Sequence, residues 1–155
     1  MTGLSNLLDE SSILDPLDLE NVDDILSALA ERLALRSGIG KGAILSALRA
    51  RLAEDPVGAG NGVAIPHARL ENAAAEPVGV FARLSAPVDF QSHDERPCDL
   101  VFALLTPLNN DTAHLKALAQ VARTFRDNEL RATLRGSKGE AAAILLGDSS
   151  HGAAA

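Results

Sequence analysis

The sequence predicts a single α/β domain, a mixed β-sheet flanked by helices. Apolar residues recur at helical spacing through the first third of the chain, change to alternating or continuous runs in the middle, and return to helical spacing afterwards. The run "DLVFALLTP" (99–107) is apolar without alternation, the pattern of a central strand covered on both faces. A length of 155 residues, with no repeat and no long linker, suits one core.

Taken in order, residues 1–17 read as an extended N-terminal lead-in, 18–148 as the domain and 149–155 as a disordered tail. "NVDDILSALAERLAL" sets Val22, Ile25, Leu26, Leu29 and Leu33 on one helical face. Asn21 is its cap, and Asp23 and Asp24 occupy the dipole-favoured first turn. After the break "SGIG", "KGAILSALRARLAE" forms a second helix with Ile44, Leu45, Leu48 and Leu52 inward, ended by Pro56. A glycine-rich turn then leads into "GVAIP", a short strand that stops at Pro66, directly before His67. "VGVFARL" is a strand with Val78, Val80, Ala82 and Leu84 on one face; "VDF" is short, and Pro87 before it suggests an edge or a turn. "DTAHLKALAQVARTFRD" returns to helix, with Asp111 as cap and a buried stripe of Leu115, Leu118, Ala119, Ala122 and Phe125. "NELRATLRG" and "SKGEAAAILLG" are helices stopped by glycine, and "DSSHGAAA" frays.

Composition narrows the function. A net charge of -7 argues against nucleic acid or an anionic membrane as partner. The lone Cys98 permits no internal disulfide, which fits a reducing compartment. With no basic and apolar leader and no run long enough to span a bilayer, the expectation is a cytoplasmic protein without membrane insertion. "GAGNG" makes neither a dinucleotide fingerprint nor a P-loop, so a nucleotide site is not expected.

Four histidines remain as candidates. His151 lies in the tail and His93 in a polar loop, and both read as solvated. His67 follows a proline at a strand end, where loops gather. It suits either a satisfied, half-buried imidazole or a functional one. His114 opens a helix, at N3 if Asp111 caps, where a charged imidazole is disfavoured and a neutral one can donate beside a phosphate; a first-turn residue facing water is the plainer reading. Two convergent histidines allow metal binding, base and orienter, or phosphoryl carriage. Ligand spacing for a metal and an activated serine or cysteine are both lacking. Phosphoryl carriage needs only a nucleophilic nitrogen, a second donor and a guanidinium, and "LRARLAE" supplies arginines.

"GNGVAIPHARL" resembles the active-site motif of the IIA components of the phosphoenolpyruvate-dependent phosphotransferase system, of fructose–mannitol type and best its nitrogen-related branch. "LLDESSIL", the two leading helices, "PVGVFARLSAPVDF", "DLVFALLTP" and "HLKALAQVAR" resemble that family's other segments in the same order, so the resemblance covers nearly the whole chain. The family's fold is likewise a mixed sheet flanked by helices. The resemblance implies that His67 is the phosphorylated histidine, that His114 supports the phosphate, and that Arg51 stabilises it, with Arg49 the competing choice. Gly60, Asn61, Gly62 and Pro66 would shape the segment presenting His67. Where the family usually has Ser-Thr before its Gly-Ile-Gly, this chain has Pro56-Val57, which weakens any role for that loop in holding phosphate. Also implied are a phosphoryl donor of HPr type, no cofactor or metal, and a regulatory output in which phosphorylation state selects partner proteins, of nitrogen or potassium type. Two alternatives stand beside it: a sugar-specific IIA component feeding a permease, and a binding module that has lost phosphotransfer.

Overall fold

The computed structural model describes residues 4–71, 76–92 and 94–147. Its strands are β1 (Ile13–Leu17), β2 (Gly58–Gly60), β3 (Val63–Ala64), β4 (His67–Leu70), β5 (Val78–Val88) and β6 (Cys98–Pro107). They form one sheet ordered β1-β5-β6-β3-β2, and β4 continues the line of β3 along β6. β5 and β6 are antiparallel, whereas β1 on β5 and both β3 and β4 on β6 are parallel. The mixed sheet follows the expectation, and β6 is its centre.

Helices α1 (Val22–Ser37) and α2 (Lys41–Glu54) cover one face, and α3 (Asp111–Phe125) and α4 (Asn128–Arg135) cover the other. Strand alternation divides β6 between two cores: Val101, Ala103 and Leu105 face α1 and α2, and Leu100, Phe102 and Leu104 face α3. Ile25, Leu26, Leu29 and Leu33 fill the first core with Ile44 and Leu48. Each such side chain contributes about 1.5–3 kcal/mol by leaving water. In the second, Phe125 lies 5.8 Å from Phe81 and 6.0 Å from Phe102 between ring centroids, which fixes α3 on the sheet. Asn21 caps α1 as expected, its side chain accepting from the amides of Asp23 and Asp24.

Several elements differ from the sequence reading. The described part of the extended lead-in packs on the sheet: Leu4, Leu7 and Leu8 are buried, and residues 13–17 pair with β5 as an edge strand. The glycine-rich turn is a hairpin, β2 to β3, turning on Asn61 (φ 59°) and Gly62 (φ 79°). Positive φ at both central residues is the geometry that Asn-Gly favours. "VDF" does not stand alone; Val88 ends β5 after a register shift and pairs with Cys98. The stripe of α3 is His114, Ala117, Val121 and Phe125, while Leu115 (64% exposed) and Ala119 face outward. Leu118, Ala122 and Phe125 of the expected stripe do pack on this core; His114 takes the place expected of Leu115. Only the end of "SKGEAAAILLG" is helical, finishing in a π-helical turn, Ala143–Gly147. His93 and the 149–155 tail lie outside the described residues.

A buried ion pair ties the edge strand to β5, and the same carboxylate reaches the C-terminal segment. Asp15 on β1 is paired with Arg83 on β5, with the two side chains 3% and 14% exposed. The second Asp15 oxygen accepts from the amide of Ala141 at 2.8 Å. Removing the carboxylate leaves a buried guanidinium uncompensated, so Asp15→Ala is expected to lose about 3–5 kcal/mol of stability in urea unfolding. A loss below about 1 kcal/mol would show that the pair is solvated.

Candidate functional site

At the end of the sheet where β4 begins, α2 finishes and α3 starts, a cleft of about 310 Å³ is lined by Ala47, Ala50, Arg51, Glu54, His67, Ala68, Arg69 and His114. The backbone aims its first histidine. Leu104 on β6 donates to the carbonyl of Pro66 at 3.0 Å, and His67 stands opposite Leu104 in register. His67 therefore opens β4; it does not follow a strand end, because the chain leaves β6 briefly at 65–66 and rejoins it.

The His67 ring is held at both nitrogens. Nδ1 lies 2.8 Å from the carbonyl of Ile65, and Arg51 Nε donates to Nε2 at 3.0 Å. A carbonyl only accepts and a guanidinium only donates, so the proton sits on Nδ1 and the lone pair on Nε2. Burial, and then the charge of Arg51, lower the imidazole's pKa from the ordinary 6.5, against the opposing Ile65 hydrogen bond.

His114 is 8% exposed, so the plainer reading of a first-turn residue facing water is replaced. Asn110, not Asp111, caps α3: its side chain accepts from the Ala113 amide, which puts His114 at N4. The His114 ring centroid is 5.7 Å from that of His67, with planes tilted by 50°. Its Nδ1 lies 2.7 Å from the hydroxyl of Thr106, which is fully buried. Its pKa is also lowered, by burial first and then by Arg69 and His67, with Asp111 opposing.

Arg51 and Arg49, two residues apart on α2, have separate surroundings. Arg51 faces His67 and also donates to the carbonyl of Asp55, while Arg49 makes a two-point pair with Asp23 at 2.7 Å on the exposed surface. The β2–β3 hairpin lines no part of the cleft. Its contribution is indirect: the Val57 carbonyl accepts from Ile65 at 2.8 Å, one residue before Pro66, and the Val57 side chain packs in the core. A valine is at home there, and no hydroxyl at that position is needed to line the cleft.

Two residues of the site went unread in the sequence. Arg69 sits two places after His67, on the same face of β4, and its guanidinium holds the Leu108 carbonyl and Asp111. Its Nε is buried with no hydrogen-bond partner among the described residues. Strand periodicity counted from His67 is the signal that finds it. Thr106 is the hydroxyl inside the apolar run of β6, and that exception in the pattern is its signal. Among the described residues no three His, Cys, Asp or Glu side chains cluster as metal ligands, and no helix is long and apolar enough to cross a membrane.

Because both pKa values are lowered, the unfolded chain takes up protons near pH 6.5 more readily than the folded chain. The stability held in these imidazoles is present above pH 6.5 and lost as the pH falls below it. In an NMR titration both midpoints are expected below 6.5; midpoints at or above that value would contradict the burial described.

Comparison with known proteins places this architecture. The model of the family described as "Phosphoenolpyruvate-dependent sugar phosphotransferase system, EIIA 2" matches residues 6–146. The chain is 38% identical over 135 residues to a nitrogen regulatory protein of Bradyrhizobium diazoefficiens, covering 87% of this chain and 88% of that protein. It is 31% identical over 137 residues to the nitrogen regulatory protein of Escherichia coli, covering 88% and 84%. The crystal structure of the nitrogen regulatory protein IIA-Ntr from Neisseria meningitidis superposes with a TM-score of 0.84 at 29% identity, over 92% of this chain and 98% of that one. IIA mannitol from Escherichia coli shares the fold with a TM-score of 0.74 at 18% identity, over 89% and 98%.

Proposed function

Since the chain belongs to the EIIA 2 family of the phosphoenolpyruvate-dependent sugar phosphotransferase system, we propose that His67 Nε2 accepts a phosphoryl group from an HPr-type phosphocarrier and that the phosphorylated and free forms select different partner proteins. One observation carries this reading: among the described residues the Nε2 lone pair of a neutral His67 meets only Arg51, in a cleft that holds a second guanidinium and a second imidazole.

The step balances without a proton transfer. The Nε2 lone pair attacks phosphorus, and the P–N bond to the donor histidine breaks, with its electron pair returning to the donor ring. The His67 ring becomes an N-phosphorylated imidazolium, and the Ile65 carbonyl on Nδ1–H stabilises its positive charge. Arg51 leaves Nε2 and meets the equatorial oxygens, where charge spreads in the transition state. His114 supports those oxygens from the opposite side. The regulatory reading rests on the nitrogen regulatory proteins this chain resembles along most of their length. A doubly charged group added at a surface cleft is enough to change which partner binds.

Single-turnover transfer from a phosphorylated HPr-type carrier, with peptide mapping of the product, tests the assignment. His114→Ala is expected to be labelled on the peptide containing His67 at a rate lowered by about 100-fold. Labelling at the wild-type rate would remove His114 from the site.

A further inference from the structure

We propose that the Thr106 hydroxyl is a positioning group for phosphoryl transfer: it donates to His114 Nδ1, fixes the ring proton on Nε2, and so makes His114 a hydrogen-bond donor towards His67. This rests on the phosphoryl-carrier reading of the cleft.

The satisfaction of one buried hydroxyl carries the inference. Thr106 is fully buried on β6, opposite Arg69 of β4, and its Oγ1 has a single partner among the described residues, His114 Nδ1 at 2.7 Å. Two arrangements fit that distance. If Nδ1 carried the proton and donated, the Thr106 O–H would be buried with no acceptor, at the desolvation cost of an unpaired donor. If the hydroxyl donates, both groups are satisfied and the remaining proton of the neutral ring is on Nε2. Nδ1 is turned inward to β6 while the ring lines the cleft, 5.7 Å from His67 between centroids. A donor there attracts phosphoryl oxygens, whereas a bare lone pair would repel them. The two rings then carry opposite tautomers. His67 is held as Nδ1–H by a carbonyl and presents a nucleophile; His114 is held as Nε2–H by a hydroxyl and presents a donor.

The test compares wild type with Thr106→Val, which keeps the shape, and Thr106→Ser, which keeps the hydroxyl. The imidazole ¹⁵N shifts of the unphosphorylated chains report the tautomer without any transfer. Wild type and Thr106→Ser are expected to show His114 protonated at Nε2, and Thr106→Val a loss of that single tautomer. Transfer from the carrier is expected to slow roughly tenfold in Thr106→Val, in the maximal rate more than in half-saturation, and to recover in Thr106→Ser. An Nδ1–H tautomer at His114 in wild type, or an unchanged tautomer and rate in Thr106→Val, would overturn the proposal. Wild type that shows the Nε2–H tautomer but takes up no phosphoryl group would refute the carrier reading instead, and support the hydroxyl's hold on the ring.

Discussion

A His67→Ala chain is expected to fold and to accept no phosphoryl group from a carrier that labels wild type. The size of the effect follows from the chemistry. His114, the other imidazole of the cleft, has Nδ1 committed to a buried hydroxyl, and no other described nucleophilic nitrogen stands between the two guanidinium groups. The cost to stability is small by comparison. His67 is half-buried, and the variant loses two hydrogen bonds, one to the Ile65 carbonyl and one from Arg51, each worth about 1 kcal/mol. Labelled phosphate followed on a gel, beside a urea unfolding curve, separates loss of chemistry from loss of fold. Residual labelling above background in a folded His67→Ala chain would move the carrier to another residue.

The second large effect is expected at Arg51. In the free chain its Nε holds the lone pair that must attack, so the same side chain that keeps Nε2 unprotonated also has to release it. Incoming phosphoryl oxygens provide better acceptors, and a planar fork can move to them as a unit. A lysine cannot hold two oxygens in that geometry. Arg51→Lys is expected to lower the transfer rate about 100-fold, near 2.7 kcal/mol of transition-state stabilisation. Arg49→Lys is expected to leave the rate unchanged, since that side chain is spent on Asp23 at the surface. Reversal of the two outcomes would exchange the two arginines.

The legible parts of this molecule share a cause. Helix α1 carries an apolar stripe and strand β6 a continuous apolar run, both of which show in the period alone, whereas α2 buries only Ile44 and Leu48 fully. Element edges and the site depend on single polar atoms, which periodicity ignores. Of the expected α3 stripe, Leu115 and Ala119 alone face outward, because a buried histidine satisfied by Thr106 looks polar in sequence. The hairpin was missed because Asn61-Gly62 was read for its glycines rather than for a two-residue turn with positive φ at both places. Arg69 was missed because a charged residue in a short strand resembles a solvated one until its neighbour His67 is known to face a cleft. His67 and Arg51, sixteen residues apart, were brought together by family resemblance and not by spacing. No local pattern states that α2 ends over the start of β4.

The most direct measurement of the central claim is the intact mass of the wild-type chain at mildly basic pH, after incubation with phosphoenolpyruvate, enzyme I and an HPr-type carrier. The expected result is a gain of one phosphoryl group, lost on acid treatment and located on the peptide that contains His67. No gain from a donor system shown to be active, or an acid-stable gain on another peptide, would contradict the account and leave the cleft as a binding surface without phosphoryl transfer.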